Sequence, residues 1–228
     1  MGLGRLATML NPRAVLAVGC AGWLAACATG ESTDSSRADI AKVAEVKSTF
    51  GPQFQVTNVP PTGIDPRLLS LQKLPDGLKF DPANCAEFAT GQVLPAGLQG
   101  NMAAVSAEGD GNRFVTIALE TSSPVPVSDP GQDCQKVGFA GGPLRGLIEV
   151  VEAPQIDGAQ TQGVHRVLQT VIDGKPRTGE VYSYSAHFGN YEVIVAANPL
   201  VLPDRPMVPV DTNRARDLLT AAVSAVKG

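Results

Sequence analysis

The stretch VYSYSAHFGNYEVIVAAN, Val181–Asn198, decides how this chain folds. Tyr182, Tyr184 and Phe188 alternate with Ser183, Ser185 and His187, the period of two expected of a strand whose faces meet different surroundings. Gly189 and Asn190 then interrupt the alternation, and glycine at the first central position suits a two-residue type II′ turn. Such a turn sets the register of the returning strand. It places Phe188 opposite Tyr191, His187 opposite Glu192, Ser185 opposite Ile194 and Tyr184 opposite Val195. One face is therefore aromatic, while the other carries Ser183, Ser185, His187 and Glu192.

Upstream, Asn101–Leu119 repeats the device, with Asp110 and Gly111 as a type I′ turn. Glu108 then faces Arg113, Ser106 faces Val115, Ala104 faces Ile117 and Met102 faces Leu119, with Val105 and Phe114 on the opposite face. Leu147–Val151 and Val164–Ile172 are apolar runs that read as buried strands, the second ending near Asp173 and Gly174. Downstream of a Pro-rich crossover, Pro199–Pro209, Asp211 caps a helix. Its apolar stripe is Ala215, Leu218, Leu219, Ala222, Val223 and Val226, and its wet face is Arg214, Arg216, Asp217 and Lys227. A helix with one apolar stripe packs on a sheet.

Nearer the start, Asp39 caps a helix with Ile40, Val43, Ala44 and Phe50 on its apolar side, followed by a short strand around Phe54, Val56 and Val59. Asp81 and Pro82 open a short helix that carries Cys85 and Phe88 and stops at Gly91. Leu68–Phe80 has leucines without a period, and Gly138, Gly141 and Gly142 read as turn residues. These elements predict one α+β domain over residues 39–228, an antiparallel meander sheet with helices packed on one face.

Residues 1–26 read as a lipoprotein signal peptide. Arg5 and Arg13 are the only charges before Cys27, and Ala14–Leu24 has the ~7 to 15 apolar residues of a signal core rather than the roughly 20 of a membrane span. Leu24-Ala25-Ala26-Cys27 has the form of a lipobox, whose cysteine takes a lipid. Cutting at Cys20 instead would strand an apolar piece on the mature chain. Residues 27–38, short of apolar side chains, read as a flexible tether. Lipidation at Cys27 would hold the protein on the extracytoplasmic face of the cell membrane.

Two cysteines then remain, Cys85 and Cys134, and an exported protein folds where thiols oxidise, so a single disulfide between them is expected. They and the distant His165 and His187 match no metal-ligand spacing, and no metal or cofactor is expected. Net charge is −4 with lysines and arginines scattered singly, which leaves no basic patch for nucleic acid. No Gly-rich phosphate loop, zinc-protease helix or nucleophile elbow occurs, so no enzyme is expected. The nearest approach to a catalytic arrangement is Ser183, Ser185, His187 and Glu192, which ordinary alternation on a solvated strand also produces. His165 reads as a structural residue.

With lipobox, cysteines and hairpins in place, the chain resembles a mycobacterial lipoprotein family that shares an uncharacterised domain. Phe50-Gly51-Pro52, Pro61-Thr62-Gly63-Ile64-Asp65-Pro66, Gly163-Val164-His165-Arg166 and Ala215-Arg216-Asp217-Leu218-Leu219 carry the likeness. In architecture it is also similar, more distantly, to extracellular sensor domains of mycobacterial serine/threonine kinases of the PknH type, which have two disulfides. The resemblance implies an envelope lipoprotein and brings no catalytic residues with it. The expected activity is non-catalytic binding of a small envelope molecule or peptide in a groove formed by the sheet and its Pro-rich loops. The alternatives are an interaction protein without a pocket, or a serine hydrolase using Ser183 or Ser185 with His187.

Overall fold

Alternation and tight turns build one antiparallel sheet of nine strands. The computed structural model describes residues 37–65, 74–91, 98–202 and 205–228. The signal peptide, Cys27 and nearly all of the tether lie outside the described residues, as do 66–73 within and beside the stretch that showed no period.

The strands are β1 (Gln55–Gly63), β2 (Lys79–Asp81), β3 (Gly100–Gly109), β4 (Asn112–Thr121), β5 (Lys136–Gly141), β6 (Leu144–Val151), β7 (Gln160–Ile172), β8 (Lys175–Phe188) and β9 (Tyr191–Pro199). Their order across the sheet is β1-β3-β4-β9-β8-β7-β6-β5-β2, so five consecutive strands, β5 to β9, form the meander and β9 joins it to the β3–β4 hairpin. Both predicted registers hold: Glu108 pairs with Arg113 and Met102 with Leu119, and His187 pairs with Glu192 and Ser185 with Ile194. Asp110 (φ 49) and Gly111 (φ 75) take the left-handed conformation that the first turn demands.

Two features exceed the sequence reading. Asp173 (φ 52) and Gly174 (φ 72) form a further two-residue turn and not merely a strand end, so β8 starts at Lys175 and runs with β7 as a long ribbon. Gly138 and Gly141 belong to β5 and are not turn residues; Gly142 (φ 54) supplies the turn.

The C-terminal helix α2 (Thr212–Lys227) buries all six residues of its predicted stripe, and the Asp211 carboxylate accepts from the Arg214 amide at 2.9 Å. The opening helix (Ile40–Thr49) is a 3-10 helix capped by Asp39. Its buried residues are Ile40, Val43 and Val46, a spacing of three that suits three residues per turn better than 3.6. These two helices lie on one face, against Val105, Phe114, Tyr184, Ala186, Val193 and Val195. Phe50, Phe54 and Phe114 cluster there with centroids 5.1 to 6.2 Å apart, and the Arg214 guanidinium lies over Phe54. Buried Asn112 anchors the end of the crossover, donating to the Pro209 carbonyl and accepting from the Asp211 amide.

The opposite face holds two smaller clusters. Met102, Ala104, Ile117, Leu119 and Ile194 form one on β3, β4 and β9. The other gathers Cys85, Ala89, Cys134, Val137, Phe139 and Ile148 under the short helix α1 (Ala86–Thr90), which Gly91 (φ 91) ends. The predicted disulfide is present: Cys85 and Cys134 are bonded, with Cα atoms 5.5 Å apart.

Candidate binding cleft

Ser183, Ser185 and His187 project from β8 away from the two long helices, because Tyr182, Tyr184, Ala186 and Phe188 pack toward them. Pairing then fixes what lies beside the polar row. Gln162 of β7 faces Ser185, Val164 faces Ser183, and Arg166 faces Val181 on one side and Ile148 of β6 on the other.

Over this row stand two loop segments that the disulfide ties together. Cys85 caps α1, from which come Phe88 and the following Gly91; Cys134 ends the loop that supplies Pro126, Val127 and Ser128. The Gln162 amide donates to the Ser128 carbonyl at 2.8 Å, closing one end. Between row and cover lies a cavity of about 60 Å³. Of the Pro-rich loops expected to form a groove with the sheet, the segment Pro126–Ser128 forms the wall here, and no residue of Pro199–Pro209 that the structure describes lines this cavity.

Burial sets the electrostatics. Glu192 is fully buried, and His187 has a side-chain exposure of only 10%, with Nε2 3.6 Å from Glu192 Oε1. The row is thus not the solvated strand face that its alternation suggested, because α1 and the Pro126–Ser128 loop cover it. Desolvation pulls the His187 imidazole down to about 4, so it is neutral at pH 7. Its Nδ1 has no hydrogen-bond partner, so neither serine hydroxyl is joined to it there. Arg166 is 8% exposed, and desolvation lowers it to about 10, which leaves it cationic.

Arg166 is the cleft residue that sequence reasoning passed over. Its signal was its phase: it shares a face of β7 with Val164 and Leu168, where a charge on an apolar row implies a buried, special environment. His165, by contrast, faces the other way and is held structurally. Its Nε2 is 3.0 Å from Glu180, its Nδ1 is 3.8 Å from Glu149, and its ring stacks on Tyr182 at 4.0 Å. Lys136 hydrogen-bonds Glu149 at 2.8 Å and holds its carboxyl below the usual range. Among the described residues no cluster of His, Cys, Asp or Glu is arranged to hold a metal ion, and no helix is long and apolar enough to cross a membrane.

No curated protein matches the chain. A crystal structure of an uncharacterised Mycobacterium smegmatis protein, an Rv0999 ortholog, is similar at 62% identity and a TM-score of 0.80, over 85% of this chain and 100% of that one. The family described as Domain of unknown function (DUF5642) matches residues 39–227. From the cap of the opening helix to the last turn of α2, the whole described fold lies within that match, and the chain belongs to this family of uncharacterised domains.

Proposed function

We propose that the protein is an exported lipoprotein, anchored through a lipid on Cys27 to the outer face of the cell membrane, whose domain binds a small envelope molecule without transforming it. One observation carries the binding role: the Nδ1 of His187, nine-tenths buried and lining a cavity, has no hydrogen-bond partner. An unpaired buried polar atom costs roughly 1–3 kcal/mol, which a ligand hydrogen bond would remove. The same atom weakens the serine hydrolase alternative, since a general base must reach the proton that it abstracts. Export is supported by the lipobox at Leu24-Ala25-Ala26-Cys27 and by the disulfide, a bond characteristic of oxidising compartments.

The test is an NMR titration of the full chain, held in detergent micelles, with small polar fragments. Amide shifts should gather at 162–166 and 183–187; binders that shift only other regions, or none at all, overturn the assignment. For the anchor, Cys27→Ala should release the protein from the membrane fraction, and unchanged retention would refute it. A second reading has its own observation: Val201, Leu202, Met207 and Val208 on the crossover are 75, 40, 52 and 45% exposed. Exposed apolar side chains of this kind suit a protein partner, and shifts confined to that loop on adding envelope proteins would favour it.

A further inference from the structure

On the face of β5, β6 and β7 opposite the cleft lies a separate and larger hollow. Register and the two-residue pleat set the side chains there in rows that run across the sheet. One row is Asp81, Gly138, Leu147, Val167 and Glu180 on β2, β5, β6, β7 and β8. The next, two residues along, is Lys79, Ala140, Arg145 and Gln169. All of these but Glu180 line an open trough of about 630 Å³. Small-molecule sites usually measure ~300 to 1,000 Å³, and the cleft measures only about 60 Å³. The depth of the trough comes from small residues on β5, which gives Gly138 and Ala140 to this face and Val137 and Phe139 to the cluster under α1. A Cβ placed on Gly138 meets nothing closer than the Asp81 carbonyl at 3.8 Å, so no neighbouring side chain fills the space above it.

Charge is laid along one side of this trough. Lys79 and Arg145 stand in the same row with Ala140 between them, roughly 10 Å apart at ~4.8 Å per strand. Gln169 holds Arg145 through Nε at 3.1 Å, a bond that uses neither Nη group. Among the described lining residues Asp81 is the one carboxylate against these two cations. Just beyond the lining, Glu149 is bonded to Lys136 at 2.8 Å and Glu180 to His165 at 3.0 Å. We infer that the trough binds a single-chain acyl carboxylate, its chain over Gly138, Leu147 and Val167 and its carboxylate at Lys79 and Arg145. This site goes beyond the cleft and does not depend on it. The floor from Gly138 to Val167 is two strand spacings, roughly 10 Å. A zigzag of ~1.5 Å bonds advances roughly 1.3 Å per bond, so decanoate reaches about 11 Å and covers that floor. Removing apolar surface from water draws the chain down, and a guanidinium fork gives the carboxylate a charge-assisted bond. A small inorganic anion gains only the second of these, and an alcohol only the first.

The test is equilibrium dialysis of the full chain in a nonionic detergent against the same detergent without protein, which cancels uptake by the micelles. The probes are decanoate, decylammonium, decanol and acetate. Decylammonium reverses the head-group charge, decanol removes it, and acetate removes the chain. Decanoate should bind saturably and at least about tenfold more tightly than each of the others, and it should shift amides at 138–140, 145–147 and 167–169. Gly138→Leu fills the trough and should abolish decanoate binding with the melting temperature held or raised, since glycine weakens a strand interior. Arg145→Gln should reduce decanoate to the level of decanol and leave decanol unchanged. Should Gly138→Leu fail to fold, Ala140→Leu on the same exposed floor makes the same test. Decanol or decylammonium binding as tightly as decanoate overturns the assignment, and so does uptake that never saturates, the mark of a surface that adsorbs detergent or bilayer. Decanoate shifts confined to 162–166 and 183–187 would move the ligand to the cleft and remove the trough as its site. A dimer whose formation shifts the trough amides without any probe would make this face a contact between copies and overturn the proposal. Absence of decanoate binding sinks the trough and leaves the cleft standing on its own titration.

Discussion

The two ends of the sheet are stabilised by different means. At the β1-β3-β4-β9 end, one cluster of twenty-one buried residues joins the sheet to α2 and the opening helix, and the reverse face buries Met102, Ile117 and Leu119 as well. At the β7-β6-β5-β2 end the corresponding cluster among the described residues numbers seven, and two of those are the bonded cysteines. Its other face bears half-exposed Glu149 and Glu180 and exposed Lys136, and a shallow trough floored by Gly138, Leu147 and Val167. A helix of five residues such as α1 is too short to persist without outside support. Among the described residues the crosslink lies at the end with the smaller apolar cluster. The cleft sits at the seam between the thick end and the thin one, since β8, which carries Ser183, Ser185 and His187, lies between β9 and β7.

Breaking the disulfide is the strongest test of that contrast. Cys85 and Cys134 are 49 residues apart, and closing such a loop stabilises by about 4 kcal/mol in the chain-entropy model. At ~2 to 4 °C per kcal/mol, reduction should lower the melting temperature by roughly 8 to 16 °C. Hydrogen exchange should show α1 and β5 losing protection before α2; equal loss in all three would abolish the distinction between the ends.

Leu219→Ala probes the thick side. Leu219 is fully buried in the large cluster, and removing its side chain should cost about 3 kcal/mol, a drop of roughly 6 to 12 °C. The cleft should keep its ligand response at temperatures where the variant is folded. A melting temperature within a degree of the parent would show that the helical layer is not the main source of stability.

The smallest effect is the pH response of the seam. His187 titrates at about 4 in the folded protein against 6.5 ordinarily. Between those values the unfolded chain takes up a proton that the folded chain refuses. Stability therefore falls as pH drops through this window, by at most about 1.4 kcal/mol per pH unit, and is flat in this contribution above it. Glu192, 3.6 Å away, and Arg166 in the same cleft also bear on this proton. The measurement is the difference in urea midpoint between pH 7 and pH 5 for the parent and for His187→Gln; identical pH slopes would remove His187 as the cause.

Most of the scaffold was legible because its determinants are local. Asp110-Gly111 and Gly189-Asn190 each dictate a register through backbone conformation alone, and the stripe from Ala215 to Val226 declares its buried side by spacing. The Asp173-Gly174 hairpin was missed although its dipeptide is as strong a signal, because Lys175, Pro176 and Arg177 after it do not alternate like a half-buried strand. They are exposed at the end of the ribbon, so no apolar face was needed there.

By itself the sequence determined the α+β class, the two hairpin registers, the capped terminal helix and, by elimination among few cysteines, the Cys85–Cys134 bond. Each follows from neighbours in the chain or from the chemistry of a scarce residue. Only the tertiary structure decided that the row Ser183, Ser185 and His187 is covered, that Glu192 is buried behind it and that Arg166 joins it. Alternation reports that two faces of a strand differ, whereas burial depends on which distant segments come to lie on each face. Here those segments are α1 and the Pro126–Ser128 loop, brought over β8 by a bond between residues 49 apart.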